Sequence, residues 1–255
     1  MPVPRALKPV GIALVDKPAG PSSFAIVAAL RRRTRARTGH AGTLDPFATG
    51  LLVLLSGAAT RLAPCFVGLD KRYVTDIDLT STTTTGDPEG AIVEQHSAPS
   101  RPALDEALAH LRGEIELPIP AASAVKIGGE RAYKLARRGV VVDMPLRRSL
   151  VYALDVIAYS GDGAAVPGVR IELHVSSGTY VRSIAQALGG HCTTLRRTAV
   201  GPFTVDESTA VDDAPLLPVA GALGRLPTAA LDRVPAAVRV GVVALEVPVG
   251  NGSVA

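Results

Sequence analysis

The residues best suited to chemistry are gathered in GHAGTLDPFATGLLVLL, residues 39–55. There Asp45 offers a carboxylate and His40, five positions upstream, an imidazole. Gly39 and Gly42 precede the carboxylate and Pro46 follows it. A proline disfavours the α conformation in the residue before it, so Asp45 is expected on an extended or turn backbone rather than on a helix. The apolar run 51–55 behind the loop reads as a buried strand that would anchor it. A carboxylate mounted this way can act as a nucleophile or stabilise developing positive charge. The same local features also fit an aspartate that caps a turn and a histidine packed beneath it.

The surrounding elements must hold that loop. Residues 11–16 are a short strand candidate, ended by DKPAGPSS, a turn whose serines can cap a helix expected over 24–33. A second helix is expected over 58–66, packed on the strand 51–55. In KRYVTDIDLT, residues 71–80, Tyr73, Thr75, Ile77 and Leu79 alternate with Val74, Asp76 and Asp78, the period of a half-buried strand with Tyr73 on its core side. TTTTGDPEG then supplies a polar loop. Leu104, Ala107, Leu108 and Leu111 mark a helix over 101–112, and residues 146–159 and 168–176 are further strands. A turn at Gly128-Gly129 leads to a basic helix bearing Arg131, Lys134, Arg137 and Arg138. Gly178 and Thr179 turn the chain into another helix with Arg182 in its first turn. After about residue 210 the composition shifts to Ala, Pro and Val, with 238–247 the best strand candidate.

Composition narrows the function classes. A chain of 255 residues with 47% hydrophobic content builds a packed core rather than a disordered segment. No run approaches the roughly 18 apolar residues of a membrane helix, and the early GIALV run is interrupted by Asp16 and Lys17, too soon for a secretory signal; the expected address is cytoplasmic. Cys65 and Cys192 lie far apart without the spacing of a zinc site or a disulfide framework, and no metal is expected. The formal charge is +4 and the pI about 9.3, with arginines in clusters, as suits a polyanionic partner. Arg31, Arg32, Arg33, Arg35 and Arg37 form the densest cluster, ending two residues before Gly39. They are either a solvated helix face or phosphate contacts beside the loop.

GHAGTLDPFATG resembles the GHxGxLDPxATG segment of the TruB family of tRNA pseudouridine synthases. Further segments follow in that family's order over roughly residues 10–205: DKPAGPSS, KRY, PIPAASAVKIGGERAYKLARRG, GTYVR and GHCTTLRRTAVGPF. The resemblance implies that Asp45 is the catalytic nucleophile, that Lys17 and Pro18 support its loop, and that Tyr73 stacks on the target uracil. It also implies that Arg182 pairs with the catalytic aspartate, that Tyr180 and Leu195 contact the substrate, and that His40 wedges the RNA or fills the space the base leaves. Ala122 stands where many members carry tyrosine, so no contact of that ring is carried over. The implied reaction breaks the bond from ribose C1′ to N1, turns the uracil over and rejoins it through C5, with no change in formula and no redox or energy cofactor. The target base must be flipped out of a folded RNA, at a cost of roughly a few kcal/mol that stacking and hydrogen bonds offset.

The implied fold is α+β, a mixed and mostly antiparallel sheet with flanking helices and a central active-site cleft. A catalytic domain over 1–210, including an RNA-gripping insertion around 120–146, would be followed by a short appendage, 211–255, expected as a truncated or degenerate form of the C-terminal PUA barrel many relatives carry, packed on the catalytic domain. The implied partner is the T-arm of tRNA, with the T-loop uridine at position 55 as target, and the protein would act as a monomer. Two other classes fit parts of the pattern. A nucleosidase would attack the same carbon, usually with two carboxylates or a metal, whereas this loop supplies one carboxylate. A non-catalytic RNA-binding or RNA-folding protein would need only the basic clusters.

Overall fold

The computed structural model describes residues 8–123, 125–132, 135, 138, 140, 142–161 and 164–245. The chain divides into two compact units, Met1–Leu69 with Arg197–Ala255, and Asp70–Arg196.

In the first unit, β1 (Gly11–Lys17) runs antiparallel to β3 (Thr49–Ser56), paired from Gly11 opposite Ser56 to Lys17 opposite Gly50. The short β2 (Thr38–His40) also pairs antiparallel with β3. Residues 51–55 have no exposed surface at all, so both faces of β3 are covered, which is why the run reads as continuously apolar rather than alternating. One face packs Ile12, Leu14, Leu51, Val53 and Leu55 against Phe66, Phe203 and residues of the C-terminal helices. The helix α1 (Ser23–Thr34) starts where the serine signal predicts. The Ser22 side chain accepts from the Ala25 N–H at 3.2 Å, and Arg35 closes the helix with φ 52°. Over 58–66 one helix is expected; instead a 3-10 turn (Gly57–Leu62) precedes α2 (Ala63–Val67). Pro64 explains the break, because it sits in the first turn of α2 and has no N–H to continue a preceding helix.

The tail corrects the strand expected over 238–247. Its described residues form α5 (Val219–Gly224), α6 (Thr228–Leu231) and α7 (Ala236–Ala244). Pro218, Pro227 and Pro235 each occupy an N-cap, where a missing N–H costs nothing. Val238 and Val242, one turn apart, face the core that also holds Val219, Ala222, Leu226 and Val234. The strand preference of valine is a weak prior, and packing of one helical face overrides it. Residues 211–245 thus help build the first unit's core.

In the second unit, β4 (Lys71–Asp78), β11 (Gly168–Val175), β10 (Leu146–Tyr159) and β7 (Gly113–Pro118) pair antiparallel in that order. The hairpin β5–β6 (Ser81–Thr83 and Ile92–Gln95), the helix α3 (Arg101–His110), the two-residue strands β8 (Lys126–Ile127) and β9 (Glu130–Arg131), and α4 (Val181–Ala187) complete it. The basic helix expected after Gly129 is modified accordingly. Arg131 lies in β9, the Arg138 guanidinium donates to Glu130 at 2.8 Å, and Lys134 and Arg137 fall outside the described residues. Strand β12 (His191–Val200) passes from the second unit to the first and pairs with β13 (Phe203–Thr204).

Candidate active site

Asp45 sits half-buried in the irregular stretch between β2 and β3, and its carbonyl accepts from the Ala48 N–H at 3.2 Å to close a turn. The backbone is therefore the non-helical one that Pro46 predicts. Gly42, at φ 112°, admits the chain to that turn in a conformation other residues rarely adopt.

Three anchors fix the loop within the first unit. Lys17 is fully buried, and its ammonium donates to the carbonyls of Pro18 at 2.9 Å, Pro46 at 3.0 Å and Ala48 at 2.7 Å. An ammonium carries three N–H donors, so these carbonyls help replace the water it leaves. Pro18 thus contributes its carbonyl to the same knot. The second anchor is Ser23, whose hydroxyl donates to the Leu44 carbonyl and accepts from the Leu44 N–H, both at 2.8 Å, tying the start of α1 to the residue before Asp45. The third is Arg197, 1% exposed, whose Nε donates to Leu51 O at 2.7 Å and whose terminal nitrogens reach Gly42 O at 3.1 Å and Thr43 O at 3.4 Å. Gly50 makes room for this approach, since a Cβ there would stand 2.3 Å from the Arg197 carbonyl.

His40 ends β2, half-buried, with its Nδ1 buried and without a hydrogen-bond partner among the described residues. Burial, and secondarily the Arg197 charge, hold its imidazole below the ordinary value, so it is neutral at neutral pH.

Tyr73, Tyr180, Arg182 and Leu195 belong to the second unit. Tyr73 lies on the buried face of β4 opposite Leu173, 8% exposed, and Leu195 is 6% exposed on β12. Tyr180 is the N-cap residue of α4, and Arg182 is in its first turn as expected. Arg182 is 3% exposed and donates to the carbonyls of Thr85 at 2.7 Å and Ala122 at 3.0 Å, while its Nη1 lies 3.2 Å from a carboxylate oxygen of Asp87. Ala122 therefore contributes through its main chain, a contact indifferent to the missing ring. Asp87 is equally buried, and its other oxygen accepts from the Thr85 hydroxyl and the Glu89 N–H.

The five arginines of the α1 region separate. The Arg33 guanidinium donates to the carbonyls of Asp212 and Ala214, which binds the tail to α1 and takes it out of the expected phosphate cluster. Arg31, Arg32, Arg35 and Arg37 are exposed, and no carboxylate pairs with them among the described residues.

Sequence reasoning missed Asp87 and Arg197. Asp87 lies in the segment read as a polar loop. Arg197 carried a signal, because Leu195, Arg197 and Ala199 occupy the core-facing positions of one strand, and a cation in an apolar slot demands partners. Among the described residues no group of three or more His, Cys, Asp or Glu side chains is placed to hold a metal ion, and no helix is long and apolar enough to cross a membrane.

A family model for TruB family pseudouridylate synthases, N-terminal domain, matches residues 31–181, more than half of the chain. The chain belongs to the TruB family. A tRNA pseudouridine synthase B of Mycobacterium sp. (strain KMS) is 44% identical over 213 residues, 79% of this chain and 71% of the relative. The namesake from Thermobifida fusca is 43% identical over 219 residues, 80% of this chain and 73% of the relative. Among solved structures, a chain of a Cbf5-Nop10-Gar1 complex matches at TM-score 0.59 and 28% identity, over 79% of this chain and about half of that one, at 54%. The shared fold is that of the pseudouridine synthases, a mostly antiparallel sheet with helices. For a TruB family member the Asp45 loop is the segment of interest, and in this chain it is held by groups from β1, α1 and β12.

Proposed function

We propose that this chain isomerises uridine to pseudouridine in tRNA, acting as a monomer on the T-loop uridine at position 55 of the T-arm, with Asp45 as the nucleophile. The observation that carries the reading is the Asp45 loop: one half-buried carboxylate on a non-helical backbone whose neighbours are pinned by buried Lys17, Ser23 and Arg197. Catalysis by a positioned charge needs such rigidity, because a group that must reorganise at the moment of reaction loses its advantage. The carboxylate attacks the target nucleotide as the bond from C1′ to N1 breaks, the uracil turns, C5 bonds to C1′ as the carboxylate is released, and C5 then loses its proton while N1 gains one, so the formula is unchanged.

In this reading Tyr73 stacks on the flipped uracil, Tyr180 and Leu195 line its path, and Arg182 pairs with the nucleophile. His40, neutral at working pH, occupies RNA space without adding charge. Arg31, Arg32, Arg35 and Arg37 neutralise phosphates. Residues 120–146 serve as the RNA-gripping insertion of the catalytic domain.

The test is incubation of the purified protein with unmodified tRNA and with an isolated T-arm stem-loop, followed by nucleoside analysis. Pseudouridine at position 55 in both substrates is expected. Free uracil would replace isomerisation by hydrolysis, and unchanged uridine with retained binding would reduce the protein to an RNA-binding role. A modified uridine elsewhere in tRNA would overturn the T-arm assignment alone.

A further inference from the structure

Phe24 is 74% exposed, whereas Phe66 and Phe203 have no exposed surface. The chain holds four phenylalanines, five tyrosines and no tryptophan, so it leaves in water one of the few large aromatics it has. Single exposed apolar residues are ordinary; the surroundings of this one are not. Phe24 stands in the first turn of α1 between two fixed neighbours. Ser22 caps the helix, and Ser23, 2% exposed, is bonded through its hydroxyl to both main-chain atoms of Leu44, the residue before Asp45. The ring therefore projects from a backbone clamped to the catalytic loop.

The rest of that helix face is cationic. Positions 24, 28, 31 and 32 fall on one side of a helix of 3.6 residues per turn. They carry Phe24, Ala28, Arg31 and Arg32, the exposed Arg35 follows at the C-cap, and α1 contains no acidic residue. The apolar side of α1, with Ile26, Val27 and Leu30, is buried in the first unit and unavailable to a membrane. The small alanines beside Phe24 offer no extended apolar patch to a protein groove. A lone aromatic plane followed along one axis by unpaired arginines is what an unpaired strand of nucleic acid requires. Its phosphates meet the arginines and a base lies on the ring, which takes any base because every base has a π face.

Resting on the reading of the substrate as RNA, we propose that Phe24 is a stacking platform for an unpaired nucleobase of the substrate RNA outside the reacting nucleotide, with Arg31, Arg32 and Arg35 holding the phosphates that follow it. Its role is binding, separate from the chemistry at Asp45.

Because the chain has no tryptophan, Phe24→Trp installs a single indole at the contact. Its emission should be quenched on titration with the unmodified T-arm stem-loop, saturating in step with binding measured independently by filter retention. Phe24→Ala should weaken binding about tenfold with kcat nearly unchanged, and Phe24→Leu should match it, since leucine keeps apolar bulk but has no π face. Neither should alter the slope of affinity against salt, whereas replacing Arg31, Arg32 and Arg35 by Gln should flatten it. Unchanged emission at saturating RNA, or Phe24→Leu binding as tightly as the parent, overturns the stacking role while leaving the enzyme reading intact. A parent protein that neither retains nor modifies the RNA overturns that reading, and this proposal with it.

Discussion

The Asp45 loop and the Arg182 helix are both held by buried charge, but in opposite ways. Around Asp45 the anchors are two cations, Lys17 and Arg197, that donate to main-chain carbonyls of the loop and its flanks. At α4 the buried cation itself carries the implied function, and a carboxylate, Asp87, faces it together with two carbonyls. Each carbonyl that accepts from a buried cation is fixed by it, so the first arrangement holds a backbone. The second compensates an arginine's charge while restricting the direction of its guanidinium. Position is bought from the main chain in one region and from a side chain in the other, and substitutions should separate the two.

The largest effect belongs to the one group that neither arrangement replaces. Asp45→Asn keeps the shape of the side chain and removes the carboxylate proposed as the nucleophile, so pseudouridine formation should fall on the order of 10⁴-fold while tRNA binding persists. Single-turnover assays with an excess of purified variant, checked for deamidation, measure this directly, and a loss below tenfold would reassign the chemistry.

Next comes the carboxylate of the second region. Asp87→Asn keeps hydrogen bonding to Thr85 and Glu89 feasible but withdraws the charge that faces Arg182. A guanidinium free to shift by about an ångström costs roughly a hundredfold in rate. That loss should appear in kcat with KM little changed, because the substrate does not touch Asp87 in this reading. A rise in KM with normal kcat would instead mark Asp87 as part of an RNA-binding surface.

The corresponding test of the first region reads stability. Lys17→Met and Arg197→Met each leave buried carbonyls of the loop without donors, and hydrogen bonds to charged groups are worth about 1.5–3 kcal/mol. Each variant should lose about 3 kcal/mol in urea unfolding. If the loop keeps its activity per folded molecule after such a loss, the two cations serve the fold and not the placement of Asp45.

That contrast also explains what was legible in the sequence. The alternation in residues 71–78 and 168–175 gave their strands and placed Tyr73 on the buried side, and the serines before Phe24 gave the start of α1. These signals are local. Arg197 lies 146 positions from Leu51, whose carbonyl it meets, and Arg182 lies 97 from Thr85, so neither partnership leaves a periodic trace. The tail departs from its strand expectation for a related reason. Valines at 238, 240, 242 and 243 carry strand propensity, but prolines at each helix start and burial of Val242 decide the outcome.

The smallest expected effect lies where the first unit uses a carboxylate after all. Glu207 receives the Arg225 guanidinium at 2.6 and 2.8 Å and caps its own 3-10 turn by accepting from the Thr204 N–H at 3.0 Å, while Arg225 also lies 4.3 Å over the Phe203 ring. The Arg225 hydrogen bonds chiefly, helped by those of Thr204 and opposed by burial, pull the Glu207 carboxyl down to about 2 from its ordinary 4.5. The folded state thus binds its proton less readily than the unfolded chain. The stabilisation is complete above pH 4.5 and disappears as the pH falls towards 2. Both side chains are more than a third exposed or close to it, at 37% and 35%, so water screens the pair and the contribution is about 1 kcal/mol or less. Thermal unfolding of the parent and of Glu207→Gln should therefore differ by a few degrees at pH 7 and converge as the pH approaches 2. A difference that persists at pH 2 would mean that the packing of Arg225 on Phe203, rather than the ion pair, ties this corner of the first unit together.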